Sequence, residues 1–72
     1  MLERTASDAT PRDDAVRLLA RREYSRAELV ERLAAKGHAD DSIAECLDDL
    51  AEQGLQSDAR FAERFLRSRI FR

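Results

Sequence analysis

Seventy-two residues, 39% charged and 43% hydrophobic with a net charge of −2, leave room for at most one small domain. A chain of that size buries only about 60% of the surface its unfolded form exposes, so a thin core worth roughly 3–5 kcal/mol is expected. No stretch approaches the roughly 20 apolar residues of a bilayer span, the start of the chain lacks the apolar run of a signal peptide, and the single thiol, Cys46, allows no internal disulfide or CxxC pair; a soluble, cytoplasmic protein is the expectation.

Residues 1–9 are polar without helical periodicity and predict a disordered arm. The first helix is predicted from Thr10 as cap and Pro11 at the first helical position, where a missing N–H costs nothing. Asp13 and Asp14 follow at the positive end of the helix dipole. Ala15, Leu18 and Leu19 form its apolar stripe with Val16 at the edge, and the pattern fades near Arg22 and Glu23.

The second helix is announced by Ser25 with Glu28 three residues on, a capping box in which hydroxyl and carboxylate each satisfy the other's backbone N–H. Tyr24 and Leu29 flank that cap as a hydrophobic staple, and the stripe is expected to continue through Val30, Leu33 and Ala34. Gly37 ends the helix in the left-handed conformation. The third helix is expected from Asp40 or Asp41 through Ile43, Leu47, Leu50 and Ala51, with Gly54 closing it and Leu55 folding back on Leu50. Ser57 caps a fourth helix that carries Phe61, Phe65, Leu66 and Ile70 on one side.

The fold class these elements predict is all-α: a three-helix bundle over residues 10–54, then a further helix in 55–72 packed on it or projecting from it. The short connections between helices are those of compact helical bundles.

Charge is unevenly spread. Residues 40–58 hold seven acids and no Lys or Arg, whereas residues 59–72 hold five Arg against the single acid Glu63. Arg60, Arg64 and Arg67 recur at i, i+4 and i+7 and so line one side of the fourth helix, and with Arg69 they are the candidate partner-binding residues. Such a ridge suits regularly spaced anions, whether a phosphate backbone or an acidic protein groove; an ordinary solvated helix face is the plainer reading. Three acid-to-base pairs at i, i+4 (Asp13–Arg17, Glu28–Arg32 and Glu63–Arg67) are expected to support their helices by roughly 0.2–0.5 kcal/mol each.

No catalytic constellation emerges. His38 is the only histidine and nothing in the spacing brings it to Cys46, which sits on the flank of the third helix's stripe as a small core thiol. His38 is expected to pack on Leu33. Asp40-Asp41 and Asp48-Asp49 point about 100° apart within each pair and share no face, and no EF-hand or Gly-rich phosphate loop is present. No catalytic residue, metal ligand or cofactor-binding residue is assigned, and the protein is read as one that works by binding.

Two separated segments resemble the RecX family. The first runs Ala15-Val-Arg-Leu-Leu-Ala-Arg-Arg-Glu-Tyr-Ser-Arg-Ala-Glu-Leu, continued by Leu33-Ala-Ala-Lys-Gly37; the second runs from Leu50-Ala-Glu-Gln-Gly-Leu to Phe65-Leu-Arg-Ser-Arg69. The resemblance implies tandem three-helix repeats, of which this chain holds one and the first helix of the next. It also implies a regulator that binds the RecA recombinase filament and inhibits its activities, in DNA repair and the SOS response. The family's Gly- and Arg-rich turn is replaced here by Phe71-Arg72, so the family's bridging of neighbouring RecA subunits is expected to be out of reach. Two other readings stay open: a small DNA-binding module with the fourth helix as its basic element, and a shortened remnant without regulatory activity.

Overall fold

Four helices follow one another without a strand among the described residues: α1 (Pro11–Leu19), α2 (Arg26–Ala35), α3 (Asp40–Glu52) and α4 (Asp58–Ile70). The computed structural model describes the backbone of residues 9–70 and the side chains of residues 9–67. The arm expected over residues 1–9 falls almost wholly outside the described residues, as do Phe71 and Arg72; the side chains of Arg69 and Ile70 do as well.

The helices start where short polar side chains meet unpaired N–H groups. Asp13 N–H donates to the Thr10 hydroxyl at 3.0 Å and Thr10 N–H to the Asp13 carboxylate at 3.4 Å. Ser25 and Glu28 repeat the exchange at 3.1 and 3.2 Å, so both α1 and α2 begin with capping boxes. The start of α3 is different: Ala39 takes the cap position with no side-chain bond, and Asp40 is the first helical residue. Acids in that first turn still meet the dipole's positive end.

Two helices end in the same way. Gly37 and Gly54 adopt φ of 96° and 77°, a conformation that a Cβ disfavours. Around them His38 N–H reaches Leu33 O and Gly37 N–H reaches Ala34 O, while Leu55 N–H reaches Leu50 O and Gly54 N–H reaches Ala51 O. Both are Schellman closures, each returning two orphan carbonyls to hydrogen bonds. Of the expected Leu55–Leu50 closure the backbone half is present; the Leu55 side chain is 43% exposed and borders a shallow cavity with Val16, Leu19 and Ala20. The end of α1 comes earlier than the apolar pattern suggests, at Leu19. Arg21 and Arg22 N–H both turn back onto Leu18 O, and this tighter turn lets the chain bring Tyr24 inward.

The core consists of Ala15, Tyr24, Leu29, Leu33, Ile43, Leu47 and Leu50, with Leu18, Leu19 and Cys46 packed against it. Helices α1, α2 and α3 pack on one another, whereas α4 has no comparable packing with any of them. Because α2 is covered on one side only, its buried stripe is narrower than expected. Leu29 and Leu33 are fully buried, but Val30 is 39% exposed and Ala34 is exposed too, since each lies about 100° round from its buried neighbour. Ala51 is exposed on α3 for the same reason.

Two charges are also placed differently from the i, i+4 expectation. Asp13 serves the cap, and Arg17 approaches Asp14 instead at 3.7 Å. Glu28 serves the other cap and receives Arg22 at 3.5 Å, while Arg32 lies over the Tyr24 ring, 5.4 Å from its centroid. Glu63 and Arg67 do pair, at 3.9 Å.

His38 does more than pack. Its Nε2 lies 2.7 Å from Asp14 Oδ2, and the two side chains are 9% and 3% exposed, so the bond closes the α2–α3 loop onto α1 inside the bundle. A buried carboxylate must be hydrogen-bonded to be tolerated. Asp14→Ala should therefore cost about 1–3 kcal/mol by stranding the imidazole, and Asp14→Asn, which keeps an acceptor, should cost less; urea denaturation of the two variants measures the difference.

Candidate interaction surface

The arginine ridge expected from the sequence falls on α4, and the sequence around it explains how the helix is presented. Ser57 caps it: Arg60 N–H donates to the Ser57 hydroxyl at 3.1 Å, and Phe61 N–H to the Ser57 carbonyl at 3.0 Å. One side carries Phe61 and Phe65, whose rings stack with centroids 6.3 Å apart. Phe65 and Leu66 are 51% and 57% exposed, whereas Phe61 is half-buried.

The four arginines of the expected ridge have different placements. Arg60 is held within the molecule: Nε donates to Glu23 Oε2 at 2.9 Å, and the two terminal nitrogens donate to the carbonyls of Gly54 at 3.0 Å and Leu55 at 3.3 Å. Arg64 is exposed and borders a cavity of about 190 Å³ together with Arg22, Glu23, Phe61 and Phe65. Arg67 is exposed, with Glu63 as its neighbour. The side chain of Arg69 lies outside the described residues. Among the described residues Arg64 and Arg67 are exposed cations of α4, while Arg60, itself 44% exposed, fastens the base of the helix.

Residues with no obvious signal in the sequence complete that base. Gln56 is only 4% exposed; its amide donates to Tyr24 O at 3.3 Å and to Asp58 Oδ1 at 2.9 Å. Asp58 Oδ1 also accepts the Arg26 N–H at 2.8 Å, so the first residue of α4 caps the first residue of α2. Arg26 in turn reaches Asp48 at 3.0 Å and Ala44 O at 3.4 Å on α3. A Gln in a connecting segment gives no periodic or capping clue, and Asp58 reads locally as an acid in its own helix's first turn.

Six of the seven acids in residues 40–58 lie on α3, and the seventh, Asp58, opens α4. Asp40, Asp41, Glu45, Asp48, Asp49 and Glu52 are all exposed, and among the described residues no group of three or more His, Cys, Asp or Glu is arranged to hold a metal ion. No helix among the described residues is long and apolar enough to cross a membrane.

Cys46 is half-buried on α3. Burial pushes its thiol above the ordinary value of 9.0, with Arg12 pulling it partly back and Asp49 adding to the rise. An unfolded thiol releases its proton first as pH climbs, so this contribution is level below about pH 9 and destabilises the fold above it. Cys46→Ala should remove that part of the alkaline decline, as read from urea midpoints of the two proteins between pH 8 and pH 10.

A family model described as "RecX, first three-helix domain" matches residues 12–50, which takes in α1, α2 and most of α3. The chain is 69% identical over 68 residues to a protein of Chromohalobacter salexigens named Regulatory protein RecX, covering 94% of this chain and 45% of that one. It is 49% identical over 72 residues to the protein of the same name from Halorhodospira halophila, covering 100% of this chain and 45% of the relative. The corresponding protein of Pseudomonas entomophila is 50% identical over 58 residues, 81% of this chain and 37% of the relative. The chain thus spans less than half the length of these relatives. No solved structure matches it significantly.

Proposed function

Because the chain belongs to the RecX family, we propose that it acts as the opening part of a regulator that binds the RecA filament and inhibits RecA's activities in recombinational repair and the SOS response. The observation that carries this reading is the 69% identity to a Regulatory protein RecX across nearly the whole of this chain. The contact surface in this reading is the outward side of α4, with Arg64 and Arg67 as the cations; Arg69 remains a candidate from the sequence alone. In this reading α1 to α3 form one repeat and α4 is the first helix of the next. A helical surface with a cationic ridge beside exposed Phe65 and Leu66 supports a protein contact, since apolar area supplies affinity while charge supplies steering and register. The test is RecA's DNA-dependent ATPase and strand exchange with the chain in excess: concentration-dependent inhibition is expected, and unchanged rates together with no filament binding would reject the reading.

The exposed Arg64 and Arg67 also favour a second reading, direct binding of a nucleic-acid backbone. It predicts duplex affinity that falls steeply with salt. The exposed acids of α3 weigh against it, because they repel phosphate wherever they face the same way. Absence of duplex binding at low salt, with RecA inhibition intact, removes this second reading and leaves the first.

A further inference from the structure

Helix α4 is fastened at its base and has little packing beyond it, and the fastening is made of polar groups from three places in the chain. Arg60 is the centre. Its guanidinium joins Glu23 on the α1–α2 connection to the Gly54 and Leu55 carbonyls at the end of α3. Two residues earlier, Asp58 accepts the Arg26 N–H at the start of α2, and the buried Gln56 amide bridges Asp58 to Tyr24 O. Beyond this base the helix stands off the α1–α2 connection across the cavity of about 190 Å³ between Arg22, Glu23, Phe61, Arg64 and Phe65. There is room there for α4 to tilt, and among the described residues its helix-to-helix packing is much weaker than that among α1, α2 and α3.

We infer that this network is a joint that sets the angle at which α4 leaves the bundle, with Arg60 and Glu23 as positioning residues for the Arg64 and Arg67 side of the helix. The inference deepens the proposed reading and rests on it for what that side of α4 meets; the joint itself is a property of the chain alone. Its physical basis is lever geometry. The apolar core holds α1, α2 and α3 regardless of α4, so the tilt of the lever depends on a few directional bonds at its base. Asp58 fixes the position of the first turn. The Glu23–Arg60 pair, 37 residues apart in sequence, then supplies a second, off-axis tie that a single cap cannot. A guanidinium suits this place because its planar fork serves an anion and two carbonyls at once.

The test is a double-mutant cycle of Glu23→Gln and Arg60→Met in the full chain, followed by amide hydrogen exchange and residual dipolar couplings. Glu23 and Arg60 lie outside the apolar core, so all three variants are expected to fold. Amides in the first two turns of α4 should exchange about two- to fivefold faster in Glu23→Gln and about tenfold faster in Arg60→Met, which also loses two carbonyl bonds. The double variant should be no faster than Arg60→Met alone, and the couplings should show α4 reoriented while the Leu47 and Leu50 amides keep their protection. Unchanged exchange and orientation of α4 in both single variants would overturn the joint. So would equal acceleration of the core amides, which would make the two residues ordinary stabilisers of the whole fold. None of these readouts involves RecA, so failure here is distinguishable from failure of the proposed function.

Discussion

Leu47→Ala is expected to leave much of the protein unfolded at room temperature. Leu47 is fully buried on α3, the helix that packs against both α1 and α2, so its removal opens a cavity that neither neighbour can close without losing its own contacts. Truncations of this kind cost about 2–5 kcal/mol, against roughly 3–5 kcal/mol available from a core of this size. Helical circular dichroism should fall, and the residual transition should move to low urea. Leu66→Ala is the control: Leu66 is 57% exposed on α4, and its loss should stay within about 0.5 kcal/mol of the parent. A stable Leu47→Ala would mean that the bundle draws its stability from somewhere other than the three-helix core.

Reversing Arg64 and Arg67 to Glu should lower the apparent affinity for the RecA filament by at least about tenfold, a loss of about 1.4 kcal/mol or more. Both side chains face solvent, so the bundle should keep its unfolding midpoint, which separates this variant from Leu47→Ala. The reversal replaces attraction by repulsion at two points, and steering is lost together with contact. The effect should shrink as salt rises, because exposed charges are screened over about 8–10 Å at ordinary ionic strength. Inhibition that is unchanged at low salt would move the contact surface off this side of α4.

How much of this was legible in the sequence depends on distance along the chain. Thr10 and Ser25 as caps, Gly37 and Gly54 as stops, and the apolar positions Ala15, Leu29, Leu33, Ile43, Leu47 and Leu50 could all be read in advance. Each is a local event of three to five residues or a repeat of the helical period, and both leave a pattern in the order of residue types. Where the local rule offered one carboxylate two partners, it went astray: Asp13 and Glu28 went to caps, not to the Arg four residues on. The arginine ridge was legible as a pattern, but the pattern treats Arg60, Arg64 and Arg67 as equivalent, whereas Arg60, though exposed, is bonded back to Glu23, Gly54 and Leu55.

By itself the sequence determined that the chain is helical, where three of its helices begin and two of them stop, and which family its first repeat resembles. The physical reason is that capping, glycine stops and amphipathic period are settled between near neighbours. Tertiary structure alone decided which side chains of each helix are covered, why Val30 and Ala34 face outward while Leu29 does not, and how α4 is attached. It also made the pairings of Asp14 with His38, Arg26 N–H with Asp58, and Glu23 with Arg60, across 24, 32 and 37 residues. Such bonds depend on the relative position of whole helices, which the packing of the core sets and no local pattern records.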